Sequence, residues 1–156
     1  MHLSTKGRYA VMAMADLARQ SPRGPAGEGA RAVSLAEIAG RQEISLAYLE
    51  QIFARLRRGG LVVGARGPGG GYVLARDAAD IPVFAVISAV DEPVEVTRCR
   101  EGAGCLSKGD RCLTHGLWDA LGAAIERFLS GVSLADVVAG RFDAPGRAPA
   151  LAEAAA

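Results

Sequence analysis

The three cysteines of this chain and one of its two histidines fall inside a single stretch, CREGAGCLSKGDRCLTH, running from Cys99 to His115. The spacing is Cys-x5-Cys-x6-Cys-x2-His. Cys99, Cys105, Cys112 and His115 together offer three thiolates and an imidazole, enough soft or borderline donors to complete a four-ligand site. Gly102, Gly104 and Gly109 let the backbone wrap around something compact. The gaps are wider than the C-x2-C knuckle of common zinc folds and resemble wide-spaced iron–sulphur loops more. From the residues alone, iron–sulphur, zinc and redox-thiol chemistry all stay open. A lone cysteine is commonly a small buried hydrophobe, but three in one polar loop argue against that fate. His115 could instead cap a helix or lie on the surface, and His2, at the N-terminus, reads as a bystander. A thiol enzyme needs one cysteine activated by a base. No acid/base pair stands beside these thiols, so neither an enzyme nor a small-molecule substrate is expected.

The elements that must hold this stretch follow from composition and pattern. The 156 residues, half of them hydrophobic, suffice for one domain with a buried core, or for a domain plus an extension. No run of about 18 or more apolar residues is present, so no membrane span is expected. The apolar N-terminal segment contains Asp16 and lacks a clear cleavage site, and it reads as a folded helix, not a leader. A cytoplasmic location is the resulting expectation; thiols stay reduced there, which favours metal or redox chemistry over disulfides. Charge is divided unevenly. Residues 1–76 carry 11 Lys/Arg and 5 Asp/Glu, a net of +6, whereas residues 77–156 carry 7 and 12, a net of −5. A basic first half suits a polyanion such as DNA.

Periodicity predicts a helix over 5–20, with Tyr9, Met12, Ala13, Asp16 and Leu17 along one side. A Pro/Gly-rich loop follows over 21–32. Ser34 and Glu37 form a capping-box pattern ahead of a short helix to about Arg41. After a tight connection at Glu43 and Ile44, a second helix starts beyond Ser45, with Leu46, Leu49, Phe53 and Leu56 on one face, and ends at Gly59-Gly60. Two short helices joined by a tight turn suggest a helix-turn-helix. The outward face of its second helix carries Ala47, Glu50, Gln51, Ala54 and Arg58. Short β-like runs at 61–63 and 72–74, separated by the glycine-rich tip ARGPGGG, predict a hairpin wing bearing Arg66. The tip lacks the Lys-Ser/Thr ending of a phosphate loop and does not open a helix, so it is not one. Residues 81–92 read as a short amphipathic helix. Beyond the cysteines, Leu117, Leu121, Ala124, Ile125 and Phe128 fall at helical spacing. Ser133 and Asp136 begin one further capped turn or short helix, and 141–156 is a low-complexity tail.

Five stretches in this order, STKGRYAVMAMADLA, ISLAYLEQIFARLRRGGLV, RGPGGGYVLARDA, VISAVDE and CLTHGLW, resemble the IscR-like iron–sulphur cluster transcription regulators, a winged-helix family that also includes the NsrR and RirA groups. The resemblance covers about residues 1–140, and RGPGGGY with CLTH is its specific part. It implies a mainly α fold with a small β-hairpin wing: a winged helix-turn-helix over 1–80, then a cluster-binding loop and long dimerisation helix over 81–140. It implies a [2Fe–2S] cluster held by Cys99, Cys105, Cys112 and His115. It also implies base reading by Glu50 and Gln51, beside Ala47 where the family often has Ser. Arg66 is the minor-groove candidate, because a narrow groove concentrates negative potential. Lys6, Arg8, Arg55, Arg57 and Arg58 are candidate phosphate contacts. Tyr9 and Tyr48 fit either phosphate contact or packing at the core edge. Leu117, Trp118, Leu121, Ile125 and Phe128 could be intramolecular core; the resemblance makes them a homodimer seam, which would set two reading helices over a palindromic double-stranded operator. The expected function is sensing iron–sulphur status to control cluster-assembly genes. The alternative is the same DNA-binding fold with a zinc or [4Fe–4S] site answering nitric oxide or iron.

Overall fold

A computed structural model of the chain describes residues 4–21, 31–67, 69–90, 105 and 110–142. The first helix, α1 (Thr5–Gln20), starts where the Ser4 hydroxyl accepts from the Gly7 amide at 3.3 Å. Ala10, Ala13, Met14, Leu17 and Ala18 are its buried apolar residues, a stripe spaced at three and four along the helix. Tyr9 and Met12, expected within that stripe, are half-buried at its edge. α1 is the helix around which the rest assembles, packing against α2 (Leu35–Gln42), α3 (Leu46–Arg58), α4 (Val83–Ala89) and α6 (Leu134–Ala139).

Both helices of the helix-turn-helix form where expected. α2 opens on a complete capping box: the Ser34 hydroxyl accepts from the Glu37 amide, and the Glu37 carboxylate accepts from the Ser34 amide at 2.9 Å. The turn into α3 passes through Glu43, the one non-glycine residue with positive φ (54°) among those described. The Ser45 hydroxyl then caps α3 by accepting from the Tyr48 amide at 3.1 Å. α3 buries Leu49, Ile52, Phe53 and Leu56; Leu46, expected on this face, is 44 % exposed because the first turn projects beyond the core.

The wing is a two-stranded antiparallel hairpin of β1 (Val62–Ala65) and β2 (Gly71–Leu74), paired from Val62↔Leu74 to Ala65↔Gly71. Its base is fastened twice. Val33 and Tyr72 exchange backbone hydrogen bonds at 3.0 and 2.8 Å, and the Phe53 and Tyr72 rings lie 4.8 Å apart. Gly71 makes the first contact possible, since any Cβ there would collide with the Val33 carbonyl.

Beyond a 3₁₀ turn at Ala78–Asp80, Pro82 pairs with Ser133 in an isolated bridge, and α4 starts only at Val83. The helix is therefore shorter than the 81–92 expected from periodicity, because its first two residues are used in backbone pairing. Residues 91–92 lie outside the described residues. The main core joins Ala10, Met14, Leu49, Phe53 and Leu56 to Val86, Val90 and Leu134, so it draws on both sides of position 80. A smaller cluster unites Val83, Ile87 and Val132, with Val11, Leu129 and Val137 against it. α5 (His115–Gly131) leads into α6, which has its own capping box of Ser133 and Asp136. Among the described residues, no helix is long and apolar enough to cross a membrane.

Candidate metal centre and nucleic-acid interface

Three of the four expected donors are described; Cys99 lies outside the described residues. His115 is the first residue of α5, and its Nδ1 lies 3.0 Å from the Cys105 thiol. Ten residues apart in sequence, these two donors are thus brought into contact at the mouth of a helix. The His115 amide donates to the Cys112 carbonyl at 3.0 Å, which folds Cys112 back over the start of α5. The Cys112 thiol lies 3.5 Å from the Thr114 hydroxyl. Both cysteines are half-buried. Among the described residues, no three His, Cys, Asp or Glu side chains converge as a metal site. The donor chemistry nonetheless suits iron: thiolate and imidazole are the ligands that iron–sulphur centres accept. Thr114 makes no side-chain capping bond, so the side chain at the N-cap leaves the first turn of α5 unsupported.

The candidate DNA face is carried by α3 and the wing. Ala47, Glu50, Gln51, Ala54, Arg57 and Arg58 are all exposed on α3, opposite its buried face. Arg66 is exposed at the wing tip, next to Gly67, whose φ of 108° only glycine adopts readily. The tip is closed by the Gly70 amide donating to the Gly67 carbonyl at 2.8 Å. Arg8 is exposed on α1, whereas Lys6 and Arg55 are half-buried and have partners. Tyr9 and Tyr48 are half-buried against the core and meet edge to face at 5.9 Å, pinning the first turn of α3 to α1.

α5 is amphipathic in pattern, yet none of its residues is buried. It packs on α4, and leaves Leu117 62 % exposed and Trp118 and Phe128 each 42 % exposed. Leu121 and Ile125 are half-buried.

The family described as Rrf2, iron-dependent transcriptional regulator, matches residues 3–140. The chain belongs to the Rrf2 family. It is 55 % identical to the HTH-type transcriptional regulator IscR of Serratia proteamaculans over 88 % of this chain and 79 % of that protein. It is 58 % identical to a putative HTH-type transcriptional regulator, ORF2, of Azotobacter vinelandii over 89 % of this chain and 80 % of that one. Among solved structures, T. potens IscR matches with a TM-score of 0.69 and 37 % identity, covering 95 % of this chain and 93 % of that one. CymR, the global cysteine regulator of B. subtilis, matches with a TM-score of 0.72 and 29 % identity over 90 % and 98 %. This member of the Rrf2 family is therefore a winged-helix transcription regulator of the IscR type, not an enzyme.

One ion pair, between α1 and α2, is not foreseen from the sequence. Asp16 counted there only as part of a helix face, but it is 5 % exposed and accepts from Arg41 Nε at 3.0 and 3.1 Å. The signal was present: a carboxylate inside an apolar stripe demands a partner. Its identity was not, because Arg41 lies 25 residues away.

Proposed function

We propose that this chain is a cytoplasmic homodimer that binds a palindromic double-stranded operator and senses iron–sulphur supply through a [2Fe–2S] cluster. The genes it controls are those of cluster assembly. The observation that carries this reading is the contact of Cys105 with His115 at the first residue of α5, in a chain more than half identical to regulators named IscR. Cys99, Cys105, Cys112 and His115 are the proposed ligands. A bound cluster would supply a centre whose occupancy follows iron and sulphide availability.

The chain's own residues then account for signalling and recognition. Fixing the His115 ring fixes the uncapped start of α5, and α5 packs on α4, which packs on α1 and α3. Ligand occupancy thereby biases the conformational balance of the reading helix. Gln51 pairs with adenine edges and Glu50 accepts from cytosine, while Ala47 touches a thymine methyl without hydrogen bonding. Arg66 enters the minor groove, and Lys6, Arg8, Arg55, Arg57 and Arg58 contact phosphates. Leu117, Trp118, Leu121, Ile125 and Phe128 are covered by the second protomer. The exposed apolar face of α5 supports this, since an uncovered apolar patch of that kind marks an interaction surface.

The test selects duplexes from a random pool with cluster-loaded protein, then measures affinity of loaded protein and Cys112→Ala for them. Different affinities are expected. Equal affinities, with Cys112→Ala lacking iron, would remove the sensing role and leave DNA binding in place.

A further inference from the structure

The Asp16–Arg41 pair is poorly explained as a source of stability. Its carboxylate side chain is 2 % exposed and its guanidinium side chain 34 %. Removing the carboxylate from water costs much of what its attraction to the partly exposed guanidinium returns, and the best-attested use of such pairs is to select one arrangement among several. The location points to what is being selected. α2 has eight residues and fully buries a single side chain, Ile38, with Leu35 and Ala39 partly buried against the core, so apolar packing alone leaves room for small shifts of α2 on α1. Arg41, in its last turn, ties the C-terminal end of α2 to the C-terminal half of α1. Two residues later the chain turns at Glu43 in the left-handed region, and Ser45 already caps α3. The turn holds no slack, so the tilt of the α2 end passes directly to α3. On the far side of that turn, the Tyr9–Tyr48 contact refers α3 to the same helix α1.

We infer that Asp16 and Arg41 are positioning residues for specific DNA recognition: they set the seat of α3 in the groove without touching DNA. This rests on the reading of α3 as the recognition helix. A misplaced α3 keeps its phosphate contacts, which tolerate small shifts, but loses base-edge contacts, which do not. The effect therefore appears in discrimination and not in overall binding.

The experiment compares wild type, Arg41→Lys, the apolar pair Asp16→Leu/Arg41→Met, and Gln51→Ala. Each is titrated against a duplex selected by wild type from a random pool and against a scrambled duplex of equal length, at one salt concentration. Arg41→Lys keeps the charge but loses the Nε geometry. The apolar pair removes both charges together and keeps the fold, which circular dichroism checks. The ratio of specific to non-specific affinity should fall by about tenfold in both, similar to one mismatched base pair. Loss of folded protein alone would lower both affinities by the same factor and leave the ratio intact. An unchanged ratio in both Asp16/Arg41 variants, with a reduced ratio in Gln51→Ala, overturns this inference and spares the reading of α3. An unchanged ratio in Gln51→Ala overturns that reading and this inference with it.

Discussion

Single residues divide into those whose role is local in sequence and those whose role depends on a distant partner. The candidate donors stand out because their spacing is local: Cys105, Cys112 and His115 lie within eleven positions, and the folded chain puts two of them in contact. Asp16 is legible only as part of a helix face, since nothing near it names Arg41. Glu43 was read as part of a tight connection, but its left-handed conformation was hidden, because that depends on how α2 and α3 pack. An L side chain in that region costs about 1–2 kcal/mol, against about 0.5–1 kcal/mol for the extra freedom glycine adds to the unfolded chain. Glu43→Gly should therefore stabilise the protein slightly, by about 1 kcal/mol or less, seen as a higher urea midpoint at unchanged slope. A lower midpoint would show that the Glu43 side chain contributes more than its backbone costs.

Elements were legible where caps and periodicity agree. Both capping boxes, Ser34 with Glu37 and Ser133 with Asp136, are formed as their spacing predicts. α4 was read too long because pairing of Pro82 with Ser133 is a tertiary event that periodicity does not encode. The boxes carry a pH signature. The Ser34 amide, then the Ser34 hydroxyl, hold Glu37 below its usual 4.5. The Ser133 hydroxyl, then its amide, hold Asp136 below its usual 3.8. Both folded values lie below the unfolded ones, so this stabilisation is complete above the usual values and is lost as pH falls through the depressed ones. Stability should decline on acidification below about pH 4.5, and Glu37→Gln should flatten that decline; an equal slope in the variant would contradict the assignment. For α5 the periodic apolar face was plain in the sequence, but what covers it was not. Among the described residues nothing buries it fully, and Leu117→Glu should shift the protein to monomers in sedimentation while leaving the helix-turn-helix folded. A dimer of wild-type strength in that variant would place the seam elsewhere.

At the scale of the whole molecule, the basic first half and the acidic second half share one core, with α1 packed against elements from both. Charge asymmetry pointed to DNA before any fold was known, and the exposed arginines of α3 and the wing now lie on elements fastened to each other through Phe53 and Tyr72. Binding should weaken steeply with salt, as phosphate contacts release counterions. Arg66→Ala should cost about 1–3 kcal/mol of operator affinity if it makes the groove contact proposed for it and is not merely a surface charge. An anisotropy titration showing no loss would return Arg66 to the solvent. The central claim, that this fold is governed by a [2Fe–2S] centre, is met most directly by an anaerobic visible absorption spectrum of freshly purified protein, with iron and acid-labile sulphide assayed on the same sample. The account predicts broad visible bands with equal iron and sulphide at the stoichiometry of one such cluster per chain. Protein that stays colourless after reconstitution and holds zinc would contradict it.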